Sequence, residues 1–209
     1  MALPTTMPAN NLEVVSKLTL NTYTAKFYMD GTLLHTLNVK YTFPINYPSL
    51  PSKDGYTVTG WECQGLDNNP TTMPAQDLTF HAILEADVYT VKYYSNGKVV
   101  DTQTYNYGDT INYPALPTET GYNATKWEAE GYDTLPTTMP AKDITVHAVL
   151  EAVSYTLNYK LNVETYDSST GGSKYVTEDY DSTNYAYGQA ITYKAKPSRS
   201  GYTASDWEV

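Results

Sequence analysis

Few residues in this 209-residue chain could do chemistry, and none of them stand in a catalytic pattern. The histidines are His35, His81 and His147. A metal site needs several donors converging on one point. His81 and His147 lie 66 residues apart at equivalent positions of a repeat, which places them on different domains. They read as outward-facing strand histidines. Cys63 is the only cysteine. A nucleophilic thiolate needs a base and an electropositive setting, and acidic Glu62 beside it works the other way. It reads as a small residue near a strand end. The carboxylates are scattered: Asp30, Asp54, Asp67, Asp77, Asp109, Glu119, Glu128, Glu130 and Asp133. A pair of them could cleave a glycoside only inside a cleft, which a domain this small rarely has. The spacing of a calcium loop, a phosphate loop, a serine elbow or a zinc site does not occur. No catalytic residue, metal or cofactor is expected.

Binding chemistry is the stronger possibility, because the chain holds 22 Tyr against 3 Phe. Tyr suits half-buried strands, with its ring packed and its hydroxyl wet. Trp61, Trp127 and Trp207 occur once per repeat. They could form a ladder for sugar rings, but a single Trp in a small β domain is more simply its core anchor. Met73 and Met139 are read as anchors with them. The candidate ligand contacts are Tyr166, Tyr175 and Tyr180, in and beside an insertion.

These residues are positioned by a repeat. Leu135-Pro136-Thr137-Thr138-Met139-Pro140-Ala141 occurs also at 3–9 and, beginning with Asn69, at 69–75, at a step of 66. Such self-similarity is read before any local pattern. After each copy comes a run with every second residue apolar: Leu12, Val14, Leu18 and Leu20, then Leu78, Phe80, Ala82 and Leu84, then Ile144, Val146, Ala148 and Leu150. Period two predicts a strand with one face in a core. Asp30-Gly31 and Asn96-Gly97 sit between alternating runs and predict tight hairpins. Pro44 to Pro51 and Tyr113 to Pro117 predict loops with at most a helical turn. Gly55-Tyr56 and Gly121-Tyr122 lead to a short strand carrying the Trp.

The expected domains are 1–20 (the last strand of a preceding repeat), 21–86 and 87–152 (complete repeats), and 153–209 (a repeat lacking its last strand). In the third, Tyr187-Gly188, Gly201-Tyr202 and Trp207 keep a step of 80 rather than 66, so 14 extra residues sit in its first hairpin. Around Ser168-Ser169-Thr170-Gly171-Gly172 they read as a polar, flexible tip. The joints at 85–87 and 151–153 carry no linker, which predicts neighbours held at a fixed angle, as an elongated rod.

The net charge of −10 argues against nucleic acid and anionic membranes, both of which need a basic footprint. One cysteine precludes an intrachain disulfide. No apolar run is long enough to span a membrane, and no signal peptide precedes the first motif. The sequence therefore reads as part of a longer protein.

The order Tyr89-Thr90-Val91-Lys92-Tyr93-Tyr94, Asn96-Gly97-Lys98, Tyr107-Gly108, Pro117, Gly121-Tyr122, Trp127 and 139–146 resembles the Listeria–Bacteroides repeat, also called the internalin B-repeat. The likeness covers essentially the whole chain. It departs at Thr42, where the other repeats have Gly108 and Gly188, and at the third repeat's insertion and missing strand. The resemblance implies mainly β, α+β small domains of the β-grasp (ubiquitin-like) kind. It also implies placement on a bacterial cell surface or in the secreted fraction, and a stalk, spacer or adhesion role without catalysis. If the array binds a ligand itself rather than acting as a passive spacer, a neutral glycan or a host protein is the expected class, taken through Tyr-rich faces or the insertion around Tyr166 to Tyr175. A last expectation concerns residues 1–20 and 153–209, which together nearly make one repeat. They either mark a boundary cut through a repeat or pair head to tail between molecules.

Overall fold

A computed structural model describes residues 3–209. The chain divides into two compact units, one ending at Val88 and the other spanning Tyr89–Val209.

The first unit is a four-stranded sheet built from β1 (Thr22–Met29), β2 (Thr32–Lys40), β3 (Tyr56–Cys63) and β4 (Leu78–Ala86). Its spatial order is β2-β1-β4-β3. The first strand pairs antiparallel with β2, and the last enters parallel beside it, with Ala25 opposite Leu78 and Phe27 opposite Phe80. The hairpin turns on Asp30 and Gly31 at φ of 49° and 76°, the left-handed conformation that Asp-Gly tolerates. One face of the sheet buries Ala25, Phe27, Trp61, Cys63, Met73, Leu78 and Phe80. Phe27 stacks on Phe80 at 4.7 Å and takes the edge of Trp61 at 5.1 Å.

The second unit repeats this sheet with β5 (Val88–Ser95), β6 (Lys98–Asn106), β7 (Tyr122–Ala129) and β8 (Ile144–Ala152), in the order β6-β5-β8-β7. Its core keeps Ile111, Trp127 and Met139 and changes five other positions, one of which brings a polar group inside. Tyr93 takes the place of Phe27, and its hydroxyl donates to Gln103, which stands where the first repeat has Leu37. Exchanging a phenyl for a phenol in a core requires a hydrogen-bond partner at the ring's tip. The unit also carries a two-stranded sheet, β9 (Ser154–Asp167) and β10 (Gly172–Ala186).

Three expectations need correction. Residues 12–20 carry the pattern of a strand but form none, and none of the strands β1 to β10 lies paired beside them, without which a strand is not stable. The Pro-rich stretches are loops, as expected, but among the described residues there is no helix, so the architecture is all-β rather than α+β. The insertion in the third repeat is not a loose tip. It lengthens the hairpin to strands of 14 and 15 residues, leaving only residues 168–171 as the turn. Its alternation of Val, Tyr and Thr suits a strand, and a ladder satisfies its backbone where a loop would leave it to water.

Candidate functional site

The sequence's anchors sit in cores. Trp61 and Trp127 are buried, and each ring N–H donates to the carbonyl 13 residues earlier, Pro48 at 3.2 Å and Pro114 at 2.9 Å. Trp207 repeats the bond to Lys194 at 2.9 Å but is half-exposed. Met73 and Met139 fill the two cores from the Pro-Thr-Thr-Met-Pro-Ala turns. Each Met also fixes the turn through its backbone. Met139 donates to the Asp109 carbonyl and accepts from Gly108 N–H, and Met73 makes the same pair with Phe43 and Thr42. Tyr47 and Tyr113 donate to the carbonyls of Pro70 and Pro136 at the head of each turn. An exposed aspartate recurs as a backbone acceptor too: Asp77 accepts from Thr24 N–H and Asp143 from Thr90 N–H, both at 2.7 Å.

The groups weighed for catalysis are held apart. His81 and His147 are exposed and stack on Tyr28 and Tyr94. Burial pushes the Cys63 thiol up, away from the thiolate. Among the described residues no group of three or more His, Cys, Asp or Glu could hold a metal ion.

The candidate ligand contacts are exposed. Tyr166 and Tyr175 face Ser173 and Glu164 across the β9–β10 ladder, so they are diagonal neighbours on one face of the hairpin. Tyr180 turns elsewhere, tilted against Trp207 at 5.9 Å. The three tyrosines therefore do not form one surface. Beside them lies a groove of 450 Å³, lined by Lys160, Val163, Tyr175, Tyr202, Asp206 and Trp207 among others. It opens between β9 and residues 202–208, in the part of the repeat where the first two have their last strand.

A site that sequence reasoning missed lies at the joint between the second and third repeats. Val153 N–H donates to the Gly121 carbonyl and accepts, through its own carbonyl, from Tyr187 N–H, each at 2.8 Å. The Tyr187 ring lies on Gly121 so closely that a Cβ there would fall 2.2 Å from Cγ. Gly121 also holds φ at +80°. The edge of the same ring meets Tyr122 at 5.5 Å. The available signal was Gly-Tyr in all three repeats and Tyr-Gly in the second and third, which marks the repeat without revealing that a tyrosine of one copy covers a glycine of the previous one.

The sequence matches the Listeria-Bacteroides repeat domain at residues 23–83, 89–149 and 163–208. It is 26% identical over 208 residues to a predicted membrane protein of Evansella cellulosilytica, covering 94% of this chain and 29% of that protein. It is 32% identical over 154 residues to internalin H of Listeria monocytogenes, covering 69% of this chain and 27% of the relative. A predicted Gly-rich membrane protein of the same Evansella strain is 26% identical over 220 residues, covering 96% of this chain and 24% of its own length. The chain thus spans under a third of the length of these relatives.

Proposed function

The chain belongs to the Listeria-Bacteroides repeat domain family, and on that premise we propose that it is a non-catalytic spacer segment of a bacterial cell-surface or secreted protein. Each repeat is then a β-grasp-like module without its helix. The observation that carries this reading is the joint at Gly121. A stalk must resist bending between modules, and here two backbone hydrogen bonds and a ring seated on a glycine replace a linker. The relatives' names, a membrane protein and an internalin, supply the surface setting. The direct test places spin labels on Lys98 and Lys174 and measures their distance distribution by pulsed dipolar spectroscopy. A narrow distribution supports the spacer, and one as broad as a flexible tether sinks it.

A second reading is favoured by Tyr166 and Tyr175, two large exposed rings on one face of the lengthened hairpin. Such a face suits a neutral glycan or a host protein, since exposed aromatic groups on a rigid element supply contact area at low entropic cost. An array of glycans and matrix proteins, probed with the chain and with a Tyr166→Ala/Tyr175→Ala variant, decides it. A specific signal lost in the variant makes the segment an adhesive module.

A further inference from the structure

We propose that the outer edge of β10 is a self-association surface, at which residues 173–179 of two copies pair antiparallel about a two-fold axis at Val176 and lay the molecules side by side.

An outer edge of this kind is open in the complete repeats as well. In the orders β2-β1-β4-β3 and β6-β5-β8-β7 the second strand of the hairpin is outermost with the last strand in place. β10 is the third strand of this type and pairs with β9 alone. The insertion makes it 15 residues long, and every residue from Gly172 to Ser182 is exposed. The last strand of a complete repeat meets the first strand from Val91 to Tyr94, the counterparts of Leu157 to Lys160 by the repeat spacing. The ladder from Leu161 to the turn lies beyond that contact and is two strands wide. A two-stranded ribbon is marginal in water, and further strands steady it. An open edge is also a ready template for pairing with another chain.

Of the three outer edges, β10 alone is complementary to itself. Two copies that continue one sheet across a two-fold axis keep their faces, so residues that meet must lie an even number of positions apart. Lys174 and Glu178 are four apart, and an axis at Val176 sets each Lys174 opposite a Glu178 of the second copy. The same axis sets Val176, 41% exposed, against its own copy, Tyr175 opposite Thr177 and Ser173 opposite Asp179, with no like charges facing. β2 carries Lys40 and no carboxylate, and in β6 Lys98 and Asp101 are three apart and so on opposite faces. Within its hairpin Val176 pairs with Val163, so the contact aligns four valines across four strands. Glu178 accepts from Arg199 at 3.0 Å through one oxygen, and the other is left for Lys174. The register shift between Asp179 and Asp181 ends the regular edge on one side, and the turn at 168–171 ends it on the other. The contact is isologous and closes at two copies. One strand from each partner is a small interface, of the weak and reversible class.

Sedimentation equilibrium of the 209-residue chain from micromolar to millimolar concentration tests this, with Lys174→Glu and Glu178→Lys as variants. Both positions are exposed, and the melting of the two complete repeats reports that each variant is folded. The expected mass rises with concentration towards a dimer. Each variant alone sets like charges opposite each other and associates about tenfold or more weakly. An equimolar mixture of the two variants restores association, because each altered strand then faces one of opposite charge. The double variant Lys174→Glu/Glu178→Lys, which exchanges the charges within one strand, associates as the parent does. A monomer at every concentration overturns the proposal. So does an association that the single variants leave unchanged, or one that neither the mixture nor the double variant restores.

Discussion

Replacing Gly121 by Ala separates the joint from the fold. The magnitude has two parts. An L-residue at φ of +80° costs about 1–2 kcal/mol in backbone strain. The new methyl would also occupy the place of the Tyr187 ring, which must swing away and lose its edge contact with Tyr122, about 0.5–1.5 kcal/mol for such an aromatic pair. The expected sum is about 1.5–3.5 kcal/mol. For a domain of this size that lowers the melting temperature by roughly 10 °C or more. Calorimetry on a double-mutant cycle with Tyr187→Ala isolates the joint. In the Tyr187→Ala background the methyl meets no ring, and Gly121→Ala should cost only the backbone part. A cost that is the same in both backgrounds would refute the claim that the ring on the glycine couples the two repeats.

The other predictions use the repeats as internal controls. Met73→Ala and Met139→Ala should each cost about 2–5 kcal/mol by leaving a cavity in a core, read by thermal melting, whereas Met7→Ala should leave the melt of a dilute sample unchanged. Thr42 holds φ at 66° where the other repeats place Gly108 and Gly188, and a β-branched residue is strained there. Thr42→Gly should therefore stabilise the first repeat by about 1 kcal/mol in chemical denaturation, and a loss of stability would disprove that strain. Hydrogen bonds from the Thr24 backbone and side chain hold the Asp77 carboxyl below its ordinary value. A depressed folded-state value stabilises above the unfolded carboxyl value of about 3.9 and is lost as pH falls through the folded one. The acid limb of stability should therefore flatten in Asp77→Asn, and an unchanged acid limb would discount the carboxylate.

Whatever depended on local pattern was legible in the sequence. Asp30-Gly31 and Asn96-Gly97 announced their hairpins because left-handed turn residues leave little choice, and period two placed β4 and β8 with their apolar faces inward. Whatever depended on a partner was not. Residues 12–20 have the same alternation as 78–86, yet pattern alone cannot state whether a pairing strand is within reach. The insertion was misjudged for a related reason. Ser168-Ser169-Thr170-Gly171-Gly172 dominated the composition, while Val163, Tyr166, Tyr175 and Val176 on either side could only be seen as strand once they were known to face each other. Tyr187 on Gly121 joins two repeats, so no single repeat's pattern contains it.

The third repeat shows by subtraction what a last strand does in this fold. Without one, the hairpin still forms, the Trp207 N–H still reaches the carbonyl 13 residues back, and Tyr159 still meets that indole edge-on at 4.9 Å, as Tyr93 meets Trp127 at 5.4 Å. These contacts are therefore set by the first hairpin and the loop that follows it. Two features do depend on the strand. Residues 202–209 form no strand where 122–129 do, because β7 pairs only with β8. The 188–193 loop stays exposed where 108–113 is drawn down by the Met139 backbone and the Pro136 carbonyl. The last strand thus arrives on a preformed half and orders the other half around itself.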